Sequence, residues 1–176
     1  MVKTYGIPYQ GSKNRITEYI VYCILSKCKG ERLIDAFGGG GAVTDCAAQS
    51  GFFKKIIYND FCPEVSAFVK DCFTGKADYL NDLGFISKNE FKKPDIEFYK
   101  KFLFSFGNNN CDYAFSTVNE KKAKKEFIKT GKIKTGHITA RVNRCLKLER
   151  NKNANITFLS KSYNEIEYKK MILFIL

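Results

Sequence analysis

Leu33-Ile-Asp-Ala-Phe-Gly-Gly-Gly-Gly-Ala-Val-Thr44 decides the fold that this sequence predicts. The stretch predicts a short strand, an acidic turn, four consecutive glycines and the start of a helix. Each glycine loses more backbone entropy on folding than any other residue, so four in a row indicate a backbone that passes very close to something, usually a ligand. Lys55-Ile-Ile-Tyr-Asn-Asp60 follows as a second strand that ends in an acid. A glycine-rich first turn with an acid about 20 residues later is typical of an α/β sheet that holds an adenosine moiety, with the acid on the ribose hydroxyls.

The local pattern leaves the adenosine compound open. In a Gly-x-Gly-x-x-Gly dinucleotide motif, Gly39 and Gly41 would take the first two positions, but the third falls on Thr44, which weakens the case for NAD or FAD. Asp35 and Phe37, an acid and an aromatic at the strand tip, suit a compact cationic ligand that carries an adenine, such as S-adenosylmethionine. A glycine turn with a purely structural role is the third alternative.

Other motifs stand in a fixed order around the glycines. They are Tyr9-x-Gly-x-Lys13, then Asp35-x-Phe37-x-Gly39-x-Gly41, then Asn59-Asp60, then a long variable stretch that contains Ser105-Phe-Gly-Asn-Asn-Asn-Cys-Asp-Tyr113, and finally Ser162-Tyr-Asn-Glu-Ile166. This ordered set resembles the Dam-type adenine-specific DNA methyltransferases. The Ser-Phe-Gly-Asn-Asn segment is similar to that of phage-type members, and the last motif to the element before their catalytic strand. The resemblance covers about residues 5–166.

The resemblance implies a Rossmann-like, S-adenosylmethionine-dependent methyltransferase fold. The implied reaction is methyl transfer to the exocyclic amino group of adenine in double-stranded DNA, by a cytoplasmic enzyme of phage or bacterial restriction-modification type. Glycines of the loop would line the methionine part of the cofactor, an acid would face its ammonium, a second acid would bind the ribose, and the N-terminal segment would close over it. The implied cofactor site consists of Tyr9, Lys13, Asp35, Phe37, Gly39, Gly41 and Asp60.

One family motif is missing from the sequence. Family members carry Asp-Pro-Pro-Tyr after their next strand, but the prolines here are Pro8, Pro63 and Pro94. The residues 169–176 fall where that strand is expected. The resemblance implies that the missing loop accepts the adenine amino protons and stacks on the flipped base. We therefore expect an incomplete fold without catalytic residues, inactive as given, whose apolar tail 171–176 promotes aggregation unless it pairs with a strand.

Composition agrees with a nucleic-acid partner. The 176 residues include 30 Lys+Arg against 18 Asp+Glu, for a formal net charge of +12. The length suits one domain, expected to be a monomer, and the cationic excess favours DNA phosphates. A genome poor in G and C would also yield a lysine-rich surface. The lysines expected to contact DNA are Lys88, Lys92, Lys93, Lys121, Lys122, Lys124 and Lys125.

The cysteines and histidine predict no metal site. None of the seven cysteines forms a Cys-x-x-Cys pair, and the lone His137 is expected in a loop. An odd number of cysteines without a signal peptide predicts reduced thiols in a cytosol. The apolar runs are too short to span a bilayer, so no membrane partner is expected.

Hydrophobic periodicity and capping residues predict the elements. Helices are expected at 16–27, 42–50, 62–73, 96–104 and 120–130, and strands at 32–37, 55–58 and 155–160. Gly51 would end the second helix, Pro63 would open the third, and Ser87 and Glu90 would form a capping box. On the first helix, the side chains expected on one apolar face are Ile16, Tyr19, Ile20, Cys23, Ile24 and Leu25.

The order of the elements predicts the organisation of the chain. A β-α-β-α order implies a parallel sheet with helices on both faces. We expect a cofactor-binding part at 1–74, a lysine-rich, mostly helical insert for target recognition at 75–153, and a return to the sheet at 154–176. Two other functions remain open. One is a non-enzymatic DNA-binding or degraded-gene remnant, and the other is a nucleotide-cofactor oxidoreductase, in which Tyr9-x-Gly-x-Lys13 would have no role.

Overall fold

The computed structural model describes residues 3–27, 31–166 and 172–174. Within these ranges the chain forms helices, parallel strands and four short 3₁₀ turns. The helices are α1 (Thr17–Lys27), α2 (Ala42–Ser50), α3 (Pro63–Thr74), α4 (Lys88–Phe91), α5 (Phe98–Phe104), α6 (Thr117–Thr130) and α7 (Gly136–Leu146). The strands are β1 (Arg32–Asp35), β2 (Lys55–Asn59), β3 (Ile156–Leu159) and β4 (Ile172–Phe174). The 3₁₀ turns are Asp78–Leu80, Phe106–Asn108, Lys147–Asn151 and Tyr163–Glu165.

The described strands form one parallel sheet in the order β3-β2-β1-β4. The chain moves from β1 through β2 to β3 in one direction and then returns to place β4 on the other side of β1. Asp35, the last residue of β1, is paired in register with Tyr58 of β2 and with Phe174 of β4. Open α/β sheets bind ligands at the carboxyl ends of the strands where the strand order reverses. The end of β1 therefore lies where sheets of this architecture bind their ligands.

In the described part of the chain, helices cover one face of the sheet, so the prediction that helices cover both faces is wrong for these residues. Leu33 packs against α1 and α2, and Tyr58, on the same side of the sheet, packs against α3. On the other side, Ile34 and Ile57 contact Ile166, which follows the last 3₁₀ turn. The two crossovers from β1 to β3 run in the same direction, and right-handed crossovers then place their helices on the same side.

Several local predictions are confirmed. The helix α2 has the predicted bounds, and Gly51 ends it in a left-handed conformation with its N–H bonded to the carbonyl of Ala48. Pro63 is the first residue of α3. Ser87 and Glu90 form the predicted capping box, in which each side chain accepts the backbone N–H of the other residue.

The predicted apolar face of α1 is partly wrong. The helix buries Ile20, Val21 and Ile24, whereas Ile16 and Tyr19 are 51% and 70% exposed. The sequence contains enough apolar residues for two stripes on this helix, and only contact with α2 and the sheet decides which stripe is buried.

The segment around His137 is the first turn of α7, so the prediction of a loop there is wrong. The buried residues of α7 are Ile138 and Cys145. The centroid of the His137 ring lies 4.9 Å from that of the Phe115 ring. The helix begins with Gly136 and a histidine, which are weak helix formers. Packing against the rest of the insert therefore supplies stability that the local sequence does not.

The residues 75–153 share a core with residues of the predicted cofactor-binding part. Phe102 of α5 and Ile138 of α7 belong to the same buried cluster as Val69 and Phe73 of α3. The rings of Phe68 and Phe102 pack edge to face at 5.6 Å between centroids. The three predicted segments are therefore stretches of sequence that pack into a common core. Their boundaries stay a prediction.

The strand β4 pairs with β1 at residues 172–174, so this part of the apolar tail has a neighbouring strand. Met171, Ile175 and Leu176, which belong to the same prediction, lie outside the described residues. Among the helices that the structure describes, none combines the length and the apolar character needed to cross a membrane.

Candidate functional site

A cleft of about 310 Å³ opens at the carboxyl ends of β1 and β2, and we call it the first cleft. Ligand sites in proteins measure roughly 300–1,000 Å³. Three parts of the chain form its walls: the N-terminal segment 9–13, the end of β1 with the glycine loop, and the acid after β2. Six predicted cofactor residues line it: Tyr9, Lys13, Asp35, Phe37, Gly39 and Asp60.

Gly41, the seventh predicted residue, is not among the residues that line the first cleft. Its N–H bonds to the carbonyl of Gly38 at 2.7 Å, and it precedes α2 with a φ of 72°. A Cβ atom there would lie 3.1 Å from the ring of Phe73 and 3.3 Å from Val69. Gly41 therefore closes the loop and allows α2 to approach α3, and its contact with a ligand stays a prediction.

The glycine loop packs closely against the chain's own N-terminal segment. Ile7 donates its N–H to the carbonyl of Gly40 at 2.8 Å, and a Cβ on Gly40 would lie 2.6 Å from Cβ of Tyr9. Gly6 has a φ of 68°, and a Cβ on it would overlap the carbonyl oxygen of Gly40. Part of the glycine run thus serves to seat residues 6–9 on the loop, where Tyr9 forms a wall of the cleft.

Asp60 fixes the glycine loop and the start of α3. One carboxylate oxygen accepts the N–H of Gly39 at 2.9 Å, and the other accepts the N–H of Cys62 at 3.0 Å. The hydroxyl of Tyr58 donates to the carbonyl of Gly39 at 2.6 Å. Since each carboxylate oxygen has two lone pairs, Asp60 keeps acceptor capacity for hydroxyls in the cleft.

Asp35 is a buried acid at the bottom of the first cleft. Its Oδ2 accepts the N–H of Thr44 at 3.2 Å and the hydroxyl of Thr44 at 2.7 Å. Burial raises the pKa of Asp35 to about 6, although the bonds from Thr44 act in the opposite direction. Among the described residues, no cationic side chain is paired with it. A positive group of a ligand would therefore stabilise this carboxylate.

The N-terminal wall is held by side chains that the sequence analysis did not identify. The buried carboxylate of Asp45 accepts the N–H of Gly6 at 2.9 Å and pairs with Arg150 at 2.7 Å. Arg144 of α7 donates from Nε to the carbonyl of Gly6 at 2.8 Å and from Nη2 to that of Tyr5 at 2.6 Å. These contacts join residues 39 to 139 positions apart, so no local pattern indicates them.

Asn59, part of the Asn59-Asp60 motif, ties the strand ends together. Its Nδ2 donates to the carbonyls of Ala36 and Lys161, each at 3.0 Å, and its Oδ1 accepts the N–H of Lys161 at 3.0 Å. The ends of β1, β2 and β3 are thereby held together beside the first cleft.

Residues 9–172 match the model of the D12 class N6 adenine-specific DNA methyltransferases. The chain belongs to this family. The Dam-type family that the ordered motifs predicted is therefore confirmed, and the family reaction is methylation of adenine in DNA. The match begins at Tyr9, in the wall of the first cleft, and ends at the first residue of β4. A search of curated proteins finds no match.

The protein has a second cleft, of about 390 Å³, beside the first. The two clefts share the wall formed by residues 9–11. The remaining lining of the second cleft comes from α3, α5 and the loop after α5: Cys62, Val65, Phe102, Asn108, Asn109 and Asn110. A third cleft, also of about 390 Å³, lies apart from both, between the Asp78–Leu80 turn, α6 and α7.

The seven lysines that were predicted to contact DNA are all exposed. None of them lines the first or the second cleft, in which Lys13 is the only lysine among the lining residues. Lys13 itself is exposed, and its ammonium group donates to the carbonyl of Gly11 at 3.2 Å. The lysines of the insert therefore offer positive charge on the surface, and their contact with DNA stays a prediction.

Proposed function

We propose that the first cleft binds S-adenosylmethionine and that this chain carries the cofactor-binding part of a DNA adenine-N6 methyltransferase. The observation that supports this most strongly is the buried carboxylate of Asp35 at the cleft, without a cationic partner among the described residues. S-adenosylmethionine offers both an ammonium and a sulfonium charge. NAD is anionic at its pyrophosphate, which a buried carboxylate disfavours.

The other residues of the cleft fit the same ligand. The free lone pairs of Asp60 suit ribose hydroxyls, and the rings of Tyr9 and Phe37 suit the flat adenine. The half-exposed Phe37 and the exposed Lys13 lie at the surface of the cleft, where they could close over the cofactor. When bound, S-adenosylmethionine supplies the electrophilic methyl group, and the chain's residues hold and orient it.

Calorimetry tests the assignment. Wild type should bind S-adenosylmethionine, and Asp60→Ala should weaken binding by about 1–3 kcal/mol, the scale of hydrogen bonds to a charged group. Asp60→Asn, which retains one acceptor for the N–H of Gly39, should show an intermediate loss. The matched control is Asp95→Ala, because Asp95 is exposed and lines neither the first nor the second cleft. Equal affinities of wild type and Asp60→Ala, or tighter binding of NAD, would contradict the assignment.

We also propose that the 176 residues on their own bind the cofactor without transferring its methyl group. The family's Asp-Pro-Pro-Tyr tetrapeptide is not among them, and it is the group expected to accept the adenine amino protons. Purified protein should transfer no labelled methyl to adenine-containing duplex DNA. Adding an Asp-Pro-Pro-Tyr strand with its downstream sequence should restore transfer. Sustained turnover by the 176 residues would contradict this part of the proposal and identify another catalytic group.

A further inference from the structure

The third cleft, of about 390 Å³, shares no lining residue with the other two clefts. Leu80, Leu83 and Ile138 form its deepest part, since each of these lining residues is buried. Clefts of this volume with mostly apolar walls are the ones in which proteins bind small molecules. The proposed cofactor site gives the third cleft no role.

The lining of the third cleft indicates which chemistry a ligand needs. Seven of the side chains are apolar, and uncharged polar groups come from Asn81, Thr139 and Asn143. The two charged side chains are Asp82 and Lys132, whose opposite charges cancel. A ligand with a net charge would meet a like charge as well as an opposite one. A compact uncharged molecule with an apolar body and a polar group therefore fits this lining better than a phosphate or an ion does.

The helix α7 forms one wall of the third cleft. Ile138, Val142 and Leu146 line the cleft, and their spacing of four residues places them on one face of the helix. Successive residues lie roughly 100° apart around an α-helix. Arg141 and Arg144 of α7 therefore stand on the opposite face.

The two arginines hold the walls of the other clefts. Arg141 donates to the carbonyls of Leu103 and Ser105, where α5 ends and the loop of the second cleft begins. Arg144 donates to the carbonyls of Gly6 and of the residue before it, close to the wall that the first and second clefts share. The helix α7 therefore connects the third cleft to the proposed cofactor site.

The start of α7 is weakly stabilised by its own residues. Thr135 precedes the helix but makes no side-chain capping bond, and its buried Oγ1 has no hydrogen-bond partner. A capping side chain ordinarily stabilises a helix start, and Gly136, the first residue of α7, is a weak helix former. The helix thus depends on packing, and the third cleft leaves a space beside it. A molecule that fills this space would stabilise α7.

We propose that the third cleft binds a compact uncharged molecule with an apolar body, and that its occupation strengthens cofactor binding in the first cleft through α7. A ligand that orders α7 lowers the entropic cost of ordering the N-terminal wall around the cofactor, and this coupling requires no change of structure. By linkage, the cofactor strengthens binding in the third cleft by the same factor. The coupling rests on the proposed function, whereas the site itself does not.

Prodan, an uncharged naphthalene ketone whose emission shifts in apolar surroundings, is the probe for the site. Fluorescence titration should show that wild type binds one prodan molecule. The affinity for prodan should exceed that for anilinonaphthalene sulfonate, which is similar in size but anionic. Prodan should also slow hydrogen exchange of the amides at 136–146, because it stabilises α7.

Two variants block the cleft at different depths. Val142→Phe places a ring inside it, and Asn143→Phe places one at its exposed rim. Variants that still unfold cooperatively should bind prodan about tenfold or more weakly, because the ring occupies the space of the ligand. The matched control is Ala140→Phe, since Ala140 is exposed on the same helix and lines none of the three clefts. This control should bind prodan as wild type does.

Calorimetry tests the coupling. Saturation with prodan should raise the affinity of wild type for S-adenosylhomocysteine by about fivefold or more, and S-adenosylhomocysteine should raise the affinity for prodan by the same factor. In Val142→Phe and Asn143→Phe, the same prodan concentration should leave the affinity for S-adenosylhomocysteine unchanged.

Each result decides a different part of the inference. The site is overturned if wild type does not bind prodan saturably, if both cleft variants bind it as wild type does, or if the anionic dye binds there more tightly. The coupling is overturned if bound prodan leaves the affinity for S-adenosylhomocysteine unchanged, while the proposed function stands. If S-adenosylhomocysteine does not bind at all, the proposed function fails and the coupling with it. Prodan binding and hydrogen exchange in α7 then still decide whether the site exists.

Discussion

Gly6 shows how single positions build the site. Its left-handed φ of 68° and its contact with the backbone of Gly40 seat the N-terminal segment on the glycine loop. In Gly6→Ala, the new Cβ would overlap the Gly40 carbonyl oxygen and lie 2.6 Å from the N atom of Ala42. We expect a loss of roughly 2–5 kcal/mol in the free energy of unfolding, from backbone strain plus overpacking.

The control for this prediction is Gly131→Ala. Gly131 has a similar φ of 66°, but a Cβ there meets nothing within 4 Å. This variant should lose only about 1–2 kcal/mol, from the left-handed conformation alone. Urea unfolding measures both values. Equal losses would show that the packing of Gly6 on the loop does not stabilise the protein.

The buried carboxylate of Asp35 makes cofactor binding depend on pH. Its pKa of about 6 means that it loses its charge in mildly acidic solution. If the ionised form binds the cofactor's positive charge, affinity for S-adenosylmethionine should fall as the pH drops below about 6, by up to about tenfold per pH unit. In Asp35→Asn, calorimetry should give weaker binding at pH 7.5 and little change between pH 5 and 7. A wild-type affinity independent of pH over this range would contradict the role of Asp35.

Asp35 also affects the stability of the cofactor-free protein. Its contribution to stability increases as the pH falls, whereas its contribution to cofactor affinity decreases. The pKa of Asp35 is about 6 in the folded chain and about 3.9 in an unfolded chain, so the folded state binds more protons between these values. The stability contributed by protonated Asp35 is complete below about pH 4 and is lost as the pH rises through about 6. The difference in unfolding free energy between wild type and Asp35→Asn should therefore shift in favour of wild type on acidification. Denaturant unfolding at pH 5 and pH 7.5 measures it.

The sequence located residues whose position depends on local pattern, and their contact with a ligand stays a prediction. Asp35 and Asp60 follow directly from strand ends and spacing, and both line the first cleft. The packing of Gly41 against Phe73 of α3 could not be predicted, because a glycine run looks alike whether it approaches a ligand or another helix. Asp45 and Arg144 could not be found, since each acts on a backbone segment distant in sequence from itself.

At the scale of elements, α7 connects the insert to the N-terminal wall of the first cleft. Arg144 bonds the carbonyls of Tyr5 and Gly6, and these residues precede the wall at Tyr9. Arg144→Lys removes the planar donor pair, so we expect a loss of about 1.5–3 kcal/mol in unfolding free energy and weaker binding of S-adenosylmethionine by the folded variant. The matched control is Arg32→Lys, because Arg32 is exposed at the start of β1. Unchanged cofactor affinity in folded Arg144→Lys would contradict this coupling.

The elements also show where sequence patterns stop being informative. The strands β1, β2 and β3 and the helix α2 were predictable, because short apolar runs mark the strands and glycines flank the helix. The helix α7 was missed, because its stability comes from packing around Ile138 and Cys145 and not from its helix propensity. The placement of helices on one face depends on strand order, which the β-α-β-α pattern does not specify until β3 is located.

At the scale of the whole molecule, the net charge of +12 predicts salt-sensitive DNA binding. Each phosphate contact releases counterions, so the logarithm of the affinity for duplex DNA should fall with the logarithm of the salt concentration, with a slope of about 0.9 per contact. If the exposed lysines of α6 bind phosphates, replacing Lys121, Lys122 and Lys125 with glutamine should reduce this slope by up to about 2.7.

The control removes the same charge elsewhere. Lys3, Lys54 and Lys70 are exposed and lie outside the predicted insert, so their replacement with glutamine should change the slope much less. Filter binding at several salt concentrations provides the slopes. If the two triple variants have the same slope, the lysines of α6 make no specific contact with phosphates. The lysine content would then raise the affinity only through total charge, as expected if it reflects a genome poor in G and C.

The central claim is that the cleft between residues 9–13, the glycine loop and Asp60 holds S-adenosylmethionine. A crystal structure of the protein with S-adenosylhomocysteine tests it most directly. The account predicts electron density in the first cleft, with the amino group of the ligand near Asp35 and the ribose hydroxyls within hydrogen-bond distance of Asp60. Density in the third cleft, between α6 and α7, with an empty first cleft would contradict it.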